Sequence, residues 1–364
     1  MYLIVTRTFP PDLGGMQMLS WGLATTLSKH YKIKVFADYH KDQTLHDKNV
    51  NFEIERVGGF KFIRKFRKAN LVNNFIKKNK VEGIIADHWK SLELVKYQNN
   101  SIKKKLCLIH SKEINHDLGS NLNHRVLKVL NNIDYVIANS EFTKKLAIKI
   151  GVHKKKITVI NPGILSLEEI KEENKNKANK ILSDRFPKLI TISRFDKRKN
   201  HEKIIMAVRN LKEIYPNIIY ICIGQGEEEE NLKKLSLELN LSDQIIFLKN
   251  IDNNYKNALL SQSNLFVMPS IKFKKSVEGF GIVFVEAAQY GVPSLGGIEG
   301  GEADAIIQNK TGLLCDGNNL NEIYKAIDSF FKDKKYIEFS KNAKIHSEKF
   351  NWKNIILQYK KILK

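Results

Sequence analysis

Short apolar runs alternate with helix-patterned segments along almost the whole chain. Leu3 to Thr6, Lys32 to Ala37, Gly83 to Ala86, Lys105 to Ile109 and Tyr135 to Ala138 read as buried strands. After the middle come Leu189 to Ile192, Ile218 to Ile223, Ile245 to Leu248 and Leu265 to Met268. Strands that are apolar on both faces and separated by helices predict parallel sheets covered on both sides, an α/β doubly wound fold. A length of 364 residues suits two such domains. The charged segment 167–183 (LEEIKEENKNKANKILS) interrupts the rhythm and reads as a linker or exposed helix between two halves. The expected division is an N-terminal domain over 1–166, a linker over 167–183 and a C-terminal domain over 184–349. A last helix over 350–364, apolar at Phe350, Ile355, Ile356, Tyr359 and Ile362, is expected to pack back on the first domain.

The segment from Glu278 to Glu286 (EGFGIVFVE) carries the most chemistry. Gly279 and Gly281 allow close approach of backbone to a ligand. A helix opening near Ile282 would aim free N–H groups at an anion. The two carboxylates suit hydroxyl groups, so a ligand with a phosphate end and a polyol end, such as a nucleotide sugar, fits. The loop Arg194-Phe195-Asp196-Lys197-Arg198-Lys199-Asn200 follows a strand, where open α/β sheets bind ligands. Arg194 and Lys199 are placed there to stabilise a departing diphosphate, against the alternative of a solvated basic loop. Gly14 and Gly15 stand at a strand-to-helix turn that fits either a phosphate-approach loop or a simple tight turn. His88 and His110 end strands and are either cleft residues or structural histidines. Glu227 to Glu230 read as complements of a helix dipole.

A net charge of +22 admits a solvated surface, an anionic membrane or substrate, or nucleic acid. No nucleic-acid-binding motif accompanies it. The stretch 60–80 (FKFIRKFRKANLVNNFIKKNK) is either a membrane-surface helix or an ordinary basic surface helix. No apolar run is long enough to span a bilayer, and the chain is expected to be cytoplasmic, free or peripheral at the inner face of a membrane. Cys107, Cys222 and Cys315 are spaced for neither a metal nor a redox motif and read as buried free thiols. No metal-ligand grouping is present, and neither metal nor cofactor is expected beyond the nucleotide sugar itself.

Several motifs agree with one family. FPPDLGGMQ, NSEFTKKLA, VINPGI, ISRFDKRKN, NLFVMPS, EGFGIVFVEAAQYGVP and GGEADAI together resemble the retaining glycosyltransferases of the GT-B fold, family 4. Among these, the motifs are most similar to phosphatidylinositol mannoside mannosyltransferases. The resemblance implies two Rossmann-like domains facing across a cleft, with the acceptor on the first and the donor on the second. It implies transfer of a hexose, mannose foremost, to an acceptor hydroxyl of a lipid-linked or membrane-surface glycan, in polysaccharide or glycolipid biosynthesis. UDP-glucose or UDP-N-acetylglucosamine with a soluble acceptor is the alternative. A non-catalytic polyanion-binding protein and a nucleotide-sugar epimerase are the readings from other classes. By resemblance, Gly14 and Gly15 approach the diphosphate, Arg194 and Lys199 hold it, and Glu278 binds sugar hydroxyls with backbone at Phe280, Gly281 and Ile282. Glu286 binds the ribose, backbone around Asn250 and Ile251 the base, and His110 lies near the transferred sugar. Two departures from the family pattern stand out: Asn200 where many relatives have Gly, and Ala303-Asp304 in place of Pro-Glu.

Overall fold

The computed structural model describes residues 1–12, 14–96 and 102–364, and backbone only at Leu45 and Lys61. Leu13 of the FPPDLGGMQ segment lies outside the described residues. The chain divides into two compact units, Met1–Leu165 with Phe350–Lys364, and Ser166–Lys349.

The first unit holds seven parallel strands among the described residues: β1 (Tyr2–Val5), β2 (Ile33–Asp38), β3 (Glu53–Val57), β4 (Gly83–Ala86), β5 (Lys104–Ile109), β6 (Tyr135–Ala138) and β7 (Ile157–Val159). Their order in the sheet is β3-β2-β1-β4-β5-β6-β7. Helices α1 (Gly15–Leu27), α2 (Gln43–Asp47), α3 (Lys61–Lys78), α4 (Trp89–Leu92), α5 (Asn121–Leu130) and α6 (Glu141–Lys149) connect them. β1 and β4 are buried along their whole length, so the unit has a core on each face of the sheet.

The second unit runs α7 (Glu172–Leu182), β8 (Lys188–Ile192), α8 (His201–Leu211), β9 (Ile219–Ile223), α9 (Glu229–Glu238), β10 (Ile245–Leu248), α10 (Asn253–Ser261) and β11 (Leu265–Met268). It continues with α11 (Ile282–Gln289), β12 (Ser294–Gly297), α12 (Glu302–Ala305), β13 (Gly312–Cys315), α13 (Leu320–Lys332) and α14 (Lys335–Ser347). The sheet order is β10-β9-β8-β11-β12-β13, again all parallel. The charged segment 167–183 is no free tether. It carries α7, which buries Ala178 and Leu182 and hydrogen-bonds to the start of α10, where Lys171 N–H donates to Asn254 Oδ1 at 2.9 Å. Glu229 and Glu230 occupy the first turn of α9, where their charge complements the helix dipole. The three cysteines are buried and unpaired.

Four strands escaped the hydrophobic pattern. β3 (EIERV) lies at a sheet edge and alternates with polar residues, β7 is a three-residue edge strand, and β12 (SLGG) and β13 (GLLC) contain glycine. Each is held by its neighbours in the sheet rather than by its own propensity.

The sheet order of each unit changes direction once, between β1 and β4 in the first and between β8 and β11 in the second. Loops leaving those two strands part to opposite sides, and the crevice at their carboxyl ends is where such sheets take ligands.

The chain returns to the first unit through α15 (Trp352–Leu363). Ile164 N–H donates to Phe350 O at 2.8 Å, and Tyr2 O–H donates to Leu363 O at 3.0 Å. Ile355, Ile356, Tyr359 and Leu363 are buried, whereas Ile362 is only half-buried. The Trp352 ring lies against Gly22 and Gly163, where a Cβ would come within 1.9 Å and 2.5 Å of ring atoms. The two glycines make the slot that seats the helix. Trp352→Ala is therefore expected to cost about 3–5 kcal/mol through loss of a buried ring, read as an earlier urea transition. Wild-type stability of that variant would show that α15 is not part of the core.

Candidate active site

In the second unit, the loops after β8 and β11 carry the two motifs that stand out in the sequence. After β8, Asp196 caps a single 3₁₀ turn, Lys197–Lys199, by accepting from Lys199 N–H at 3.2 Å. Asn200 then adopts the left-handed conformation, φ 64°, ψ 31°. Asparagine enters this region more readily than most residues. Its side chain also stitches the loop to its surroundings, with Nδ2 donating to Pro269 O at 2.9 Å and to Gly317 O at 2.7 Å. The loop keeps the conformation a glycine would permit, and gains two hydrogen bonds.

That turn points two cations inward. Arg198 Nη1 and Lys199 Nζ both donate to Glu278 Oε2, at 2.7 Å and 2.6 Å, and all three side chains are largely shielded from water. Burial alone would push the Glu278 carboxyl up, but Lys199 and Arg198 outweigh it and hold its pKa at about 2. Lys199 thus stands at Glu278. Arg194 does not: its side chain is 75% exposed and lies 3.7 Å from Asp196, while Arg198 takes the inward place. The 3₁₀ turn is the reason, because it turns the two consecutive residues 198 and 199 inward together. The basic run showed that cations gather here, but only the turn decides which of them face inward.

Beyond Glu278 the backbone reaches Gly281 at φ 81°, and a Cβ there would meet the Phe284 ring at 2.4 Å. Glycine is required by both conformation and space. α11 starts at the next residue, Ile282, without a side-chain cap; Phe284 N–H bonds back to Gly281 O at 3.0 Å, which leaves the N–H groups of Ile282 and Val283 for an anion. Phe280 is buried and anchors the turn. Glu286, one turn into α11, is half-buried and makes no hydrogen bond or ion pair among the described residues. Burial pushes its pKa up, and Lys256 offsets part of the rise. Ile251 lies half-buried in the loop after β10, beside Asn250 at φ 54°.

Glu302, in the GGEADAI segment, is a site residue that the motif reading passed over. It is fully buried. One carboxyl oxygen is hydrogen-bonded to Ser270 Oγ, and Oε2 has no partner. Burial, together with the negative charge of Glu278, raises its pKa to about 8. At neutral pH Glu302 is therefore uncharged, and Arg198, Lys199 and Glu278 sum to one positive charge. A fully buried acid in a glycine-flanked segment was visible in the sequence, but nothing local showed that it would be buried.

In the first unit, Gly14 opens α1 with φ 154° and no side-chain cap, and a Cβ on it would come within 2.6 Å of Gln17 Oε1. Gly15 is the first helical residue. Asp87, directly after β4, organises the loop that leads there. Its Oδ2 accepts from Thr6 Oγ1 at 2.7 Å, Thr8 Oγ1 at 2.9 Å and Arg7 N–H at 3.2 Å. The His110 ring lies with Nε2 3.0 Å from Asp87 O, and its backbone N–H donates to Glu113 Oε1 at 2.6 Å. His88 accepts from Lys90 N–H at 3.0 Å, and burial lowers its pKa to about 3, so the ring is neutral. His88 is thereby a helix cap. Among the described residues, no group of three His, Cys, Asp or Glu could hold a metal ion, and no helix is long and apolar enough to cross a membrane.

The opposed shifts of Glu302 and Glu278 have opposite consequences for stability. The unfolded Glu302 carboxyl titrates near 4.5 and the folded one near 8, so the fold takes up a proton between those values. The Glu302 contribution to stability therefore falls as pH rises through that window, and levels off above it. Glu278→Gln would remove stability that is present above pH 4.5 and lost towards pH 2. Glu302→Gln is expected to melt with wild type near pH 4.5 and about 3 °C or more above it at pH 8.5. Parallel melting curves across that range would show that Glu302 is not protonated in the fold.

Two family models match the chain. "Glycosyltransferase Family 4" covers residues 13–164, and "Glycosyl transferases group 1" covers residues 171–346. The GDP-mannose-dependent alpha-(1-6)-phosphatidylinositol monomannoside mannosyltransferase of Mycolicibacterium smegmatis is 22% identical over 91% of this chain and 89% of its own length. The GDP-mannose-dependent monoacylated alpha-(1-6)-phosphatidylinositol monomannoside mannosyltransferase of Corynebacterium glutamicum is also 22% identical, over 91% of this chain and 88% of its own. Among solved structures, Anabaena Alr3699/HepE in complex with UDP superposes with a TM-score of 0.82 at 18% identity, over 100% of this chain and 99% of that one. A Rickettsia africae glycosyltransferase gives 0.79 at 18% identity over 100% and 97%. The two parallel sheets, the cation–carboxylate cluster at the second switch point and these likenesses agree: the chain belongs to the group 1 and family 4 glycosyltransferases, hexosyltransferases of the GT-B fold that use a nucleotide sugar.

Proposed function

We propose that the protein is a retaining mannosyltransferase that moves mannose from GDP-mannose to a hydroxyl of a lipid-linked or membrane-surface glycan. The observation that carries the donor half is the cluster of Arg198 and Lys199 on Glu278, at the second sheet's switch point and close in sequence to the uncapped start of α11. A diphosphate brought to this place meets two cations already gathered there and the N–H groups of Ile282 and Val283, so charge developing on the leaving group is stabilised with little reorganisation. As the cations turn to the diphosphate, Glu278 is released to accept from sugar hydroxyls. Arg194, exposed here, adds a third cation when it folds inward. Backbone at Phe280, Gly281 and Ile282 contacts the sugar and phosphate, Glu286 the ribose, and the loop at Ile251 the base. The preorganised cations are the reason to propose departure of the diphosphate without a metal. Retention follows from attack on the donor's front face, a route that needs no enzyme nucleophile, and the one carboxylate of this cluster, Glu278, is engaged by Arg198 and Lys199.

The mannose and glycolipid assignment draws on relatives that span nine-tenths of this chain. A UDP-hexose donor is the second reading, favoured by the UDP in the superposed Anabaena protein.

A thermal-shift panel of GDP-mannose, UDP-glucose and UDP-N-acetylglucosamine identifies the donor, with stabilisation expected for GDP-mannose. NMR of the product is expected to show the donor's α configuration. A UDP-sugar shift alone would replace the donor, and an inverted product would exclude the front-face route. Lys199→Ala and Glu286→Ala are expected to abolish transfer with the fold retained, because Arg198 still neutralises Glu278 in the first variant. Wild-type turnover in both would remove these residues from the reaction.

A further inference from the structure

The proposed transfer leaves Glu302 without a task, yet the fold buries it completely at the start of α12. Oε1 accepts from Ser270 Oγ, just beyond the carboxyl end of β11, and Oε2 has no partner. Glycines set this position. A Cβ on Gly300 would come within 2.6 Å of Glu302 Oε2 and 2.4 Å of Glu278 O, and Gly301 N–H donates to that same carbonyl at 2.9 Å. Glycine alone therefore lets the orphan oxygen lie this close to the main chain of Glu278. A carboxyl shut off from solvent, with one hydroxyl partner and no cation bonded to it, keeps its proton. Because Ser270 donates to Oε1, the proton belongs on Oε2.

The charges around Glu302 come from several elements. The 3₁₀ turn after β8 brings Arg198 and Lys199, and the loop before α11 brings Glu278. β12 and β13 present Gly296 and Leu314, neither of which titrates. α11 carries Glu286, whose raised pKa Lys256 partly offsets. α14 brings His346 to the backbone of Ala305, and burial lowers its pKa. On α12 itself Asp304 is half-buried, and Glu299 in the preceding loop accepts from Lys272 N–H at 2.6 Å. Of these groups, Glu278 and Lys199 act on the Glu302 carboxyl, and Glu302 acts in turn on Arg198.

With its proton in place, Glu302 leaves Glu278 as the one carboxylate that competes with a diphosphate for Arg198 and Lys199. With the proton lost, two carboxylates face two cations, and the net charge of the group falls from one positive to zero. We propose that Glu302 is a positioning residue for the donor: its proton leaves Arg198 and Lys199 to the diphosphate, and loss of that proton draws them away. The proposal rests on the reading of this cluster as the diphosphate site. The Glu302 carboxyl titrates near 8, which places the change just above neutrality. The protonated form binds the donor more tightly, so donor binding takes up protons in that range. A carboxyl that only tied α12 to the end of β11 would have neither effect.

The test is calorimetry on the full chain with GDP-mannose and UDP-glucose as probes, at pH 7, 8 and 9, in two buffers of different ionisation enthalpy. Both probes keep the same phosphate charge across this range. Wild type is expected to bind its donor about fivefold or more weakly at pH 9 than at pH 7, with proton uptake near pH 8. Glu302→Gln keeps an acceptor for Ser270 but cannot ionise. It is expected to hold at pH 9 the affinity it has at pH 7, and to take up no proton between them. Ser270→Ala removes a hydrogen bond that favours the ionised carboxyl, so its loss of affinity is expected at higher pH than in wild type. Parallel pH profiles in wild type and Glu302→Gln would overturn the proposal and leave the donor reading intact. Where the glutamine variant does not fold, an unmoved profile in Ser270→Ala would overturn it equally. Binding of neither nucleotide sugar at any of these pH values would remove the donor reading, and this role of Glu302 with it.

Discussion

The second unit is organised around a carboxylate that holds two cations out of water. Removing Glu278, Arg198 and Lys199 from solvent is costly, and only their mutual attraction and short hydrogen bonds offset that cost. Beyond the pH-dependent stability that Glu278 contributes, the arrangement has a positional role. Its effect is to keep two side chains that would otherwise sweep through solvent in one place, at the carboxyl end of β8. Under the proposed function, a ligand with two phosphates meets charge that has already lost its entropy and its hydration. The neutral Glu302 beneath preserves the balance: a second buried carboxylate would cancel the net positive charge of the cluster.

The same logic shapes the first unit, with a different result. There Asp87 is the buried carboxylate, and it is satisfied by hydroxyls and a backbone N–H rather than by cations. It fixes the loop between β1 and α1. The cations of that unit gather instead around a cavity beside α3, where Asp38 and Glu93 compensate only some of them. One switch point thus presents a compensated cluster beside an uncapped helix, and the other an uncompensated pocket.

Much of this was legible in the chain. The alternation of apolar runs and helices identified parallel sheets, and β4, β6, β10 and β11 lie where the pattern placed them. Gly281 was read as a point of close backbone approach and proves to be left-handed, and Asn200 stands in for glycine by conformation. The edge strands β3 and β7 were not legible, because an edge strand needs only one apolar face and little length. Nor was β12, whose glycines carry no hydrophobic signal at all. The basic run 194–199 announced a cluster without saying which members face inward: Arg198 and Lys199 do, and Arg194 is exposed.

Local order decides the first kind of question and three-dimensional packing the second. Periodicity, glycine placement and the charge of a loop are properties of neighbours along the chain, and they determine that the fold is α/β, that it is doubled, and that cations and glycines gather in the strand-end loops. Burial is a property of neighbours in space. Only the folded second sheet brings Ser270 to Glu302 and Glu278 to the 3₁₀ turn, and so turns one glutamate into a strong acid and another into a neutral one. Identical side chains acquire different charge states because solvent is excluded from both while Arg198 and Lys199 hydrogen-bond only Glu278.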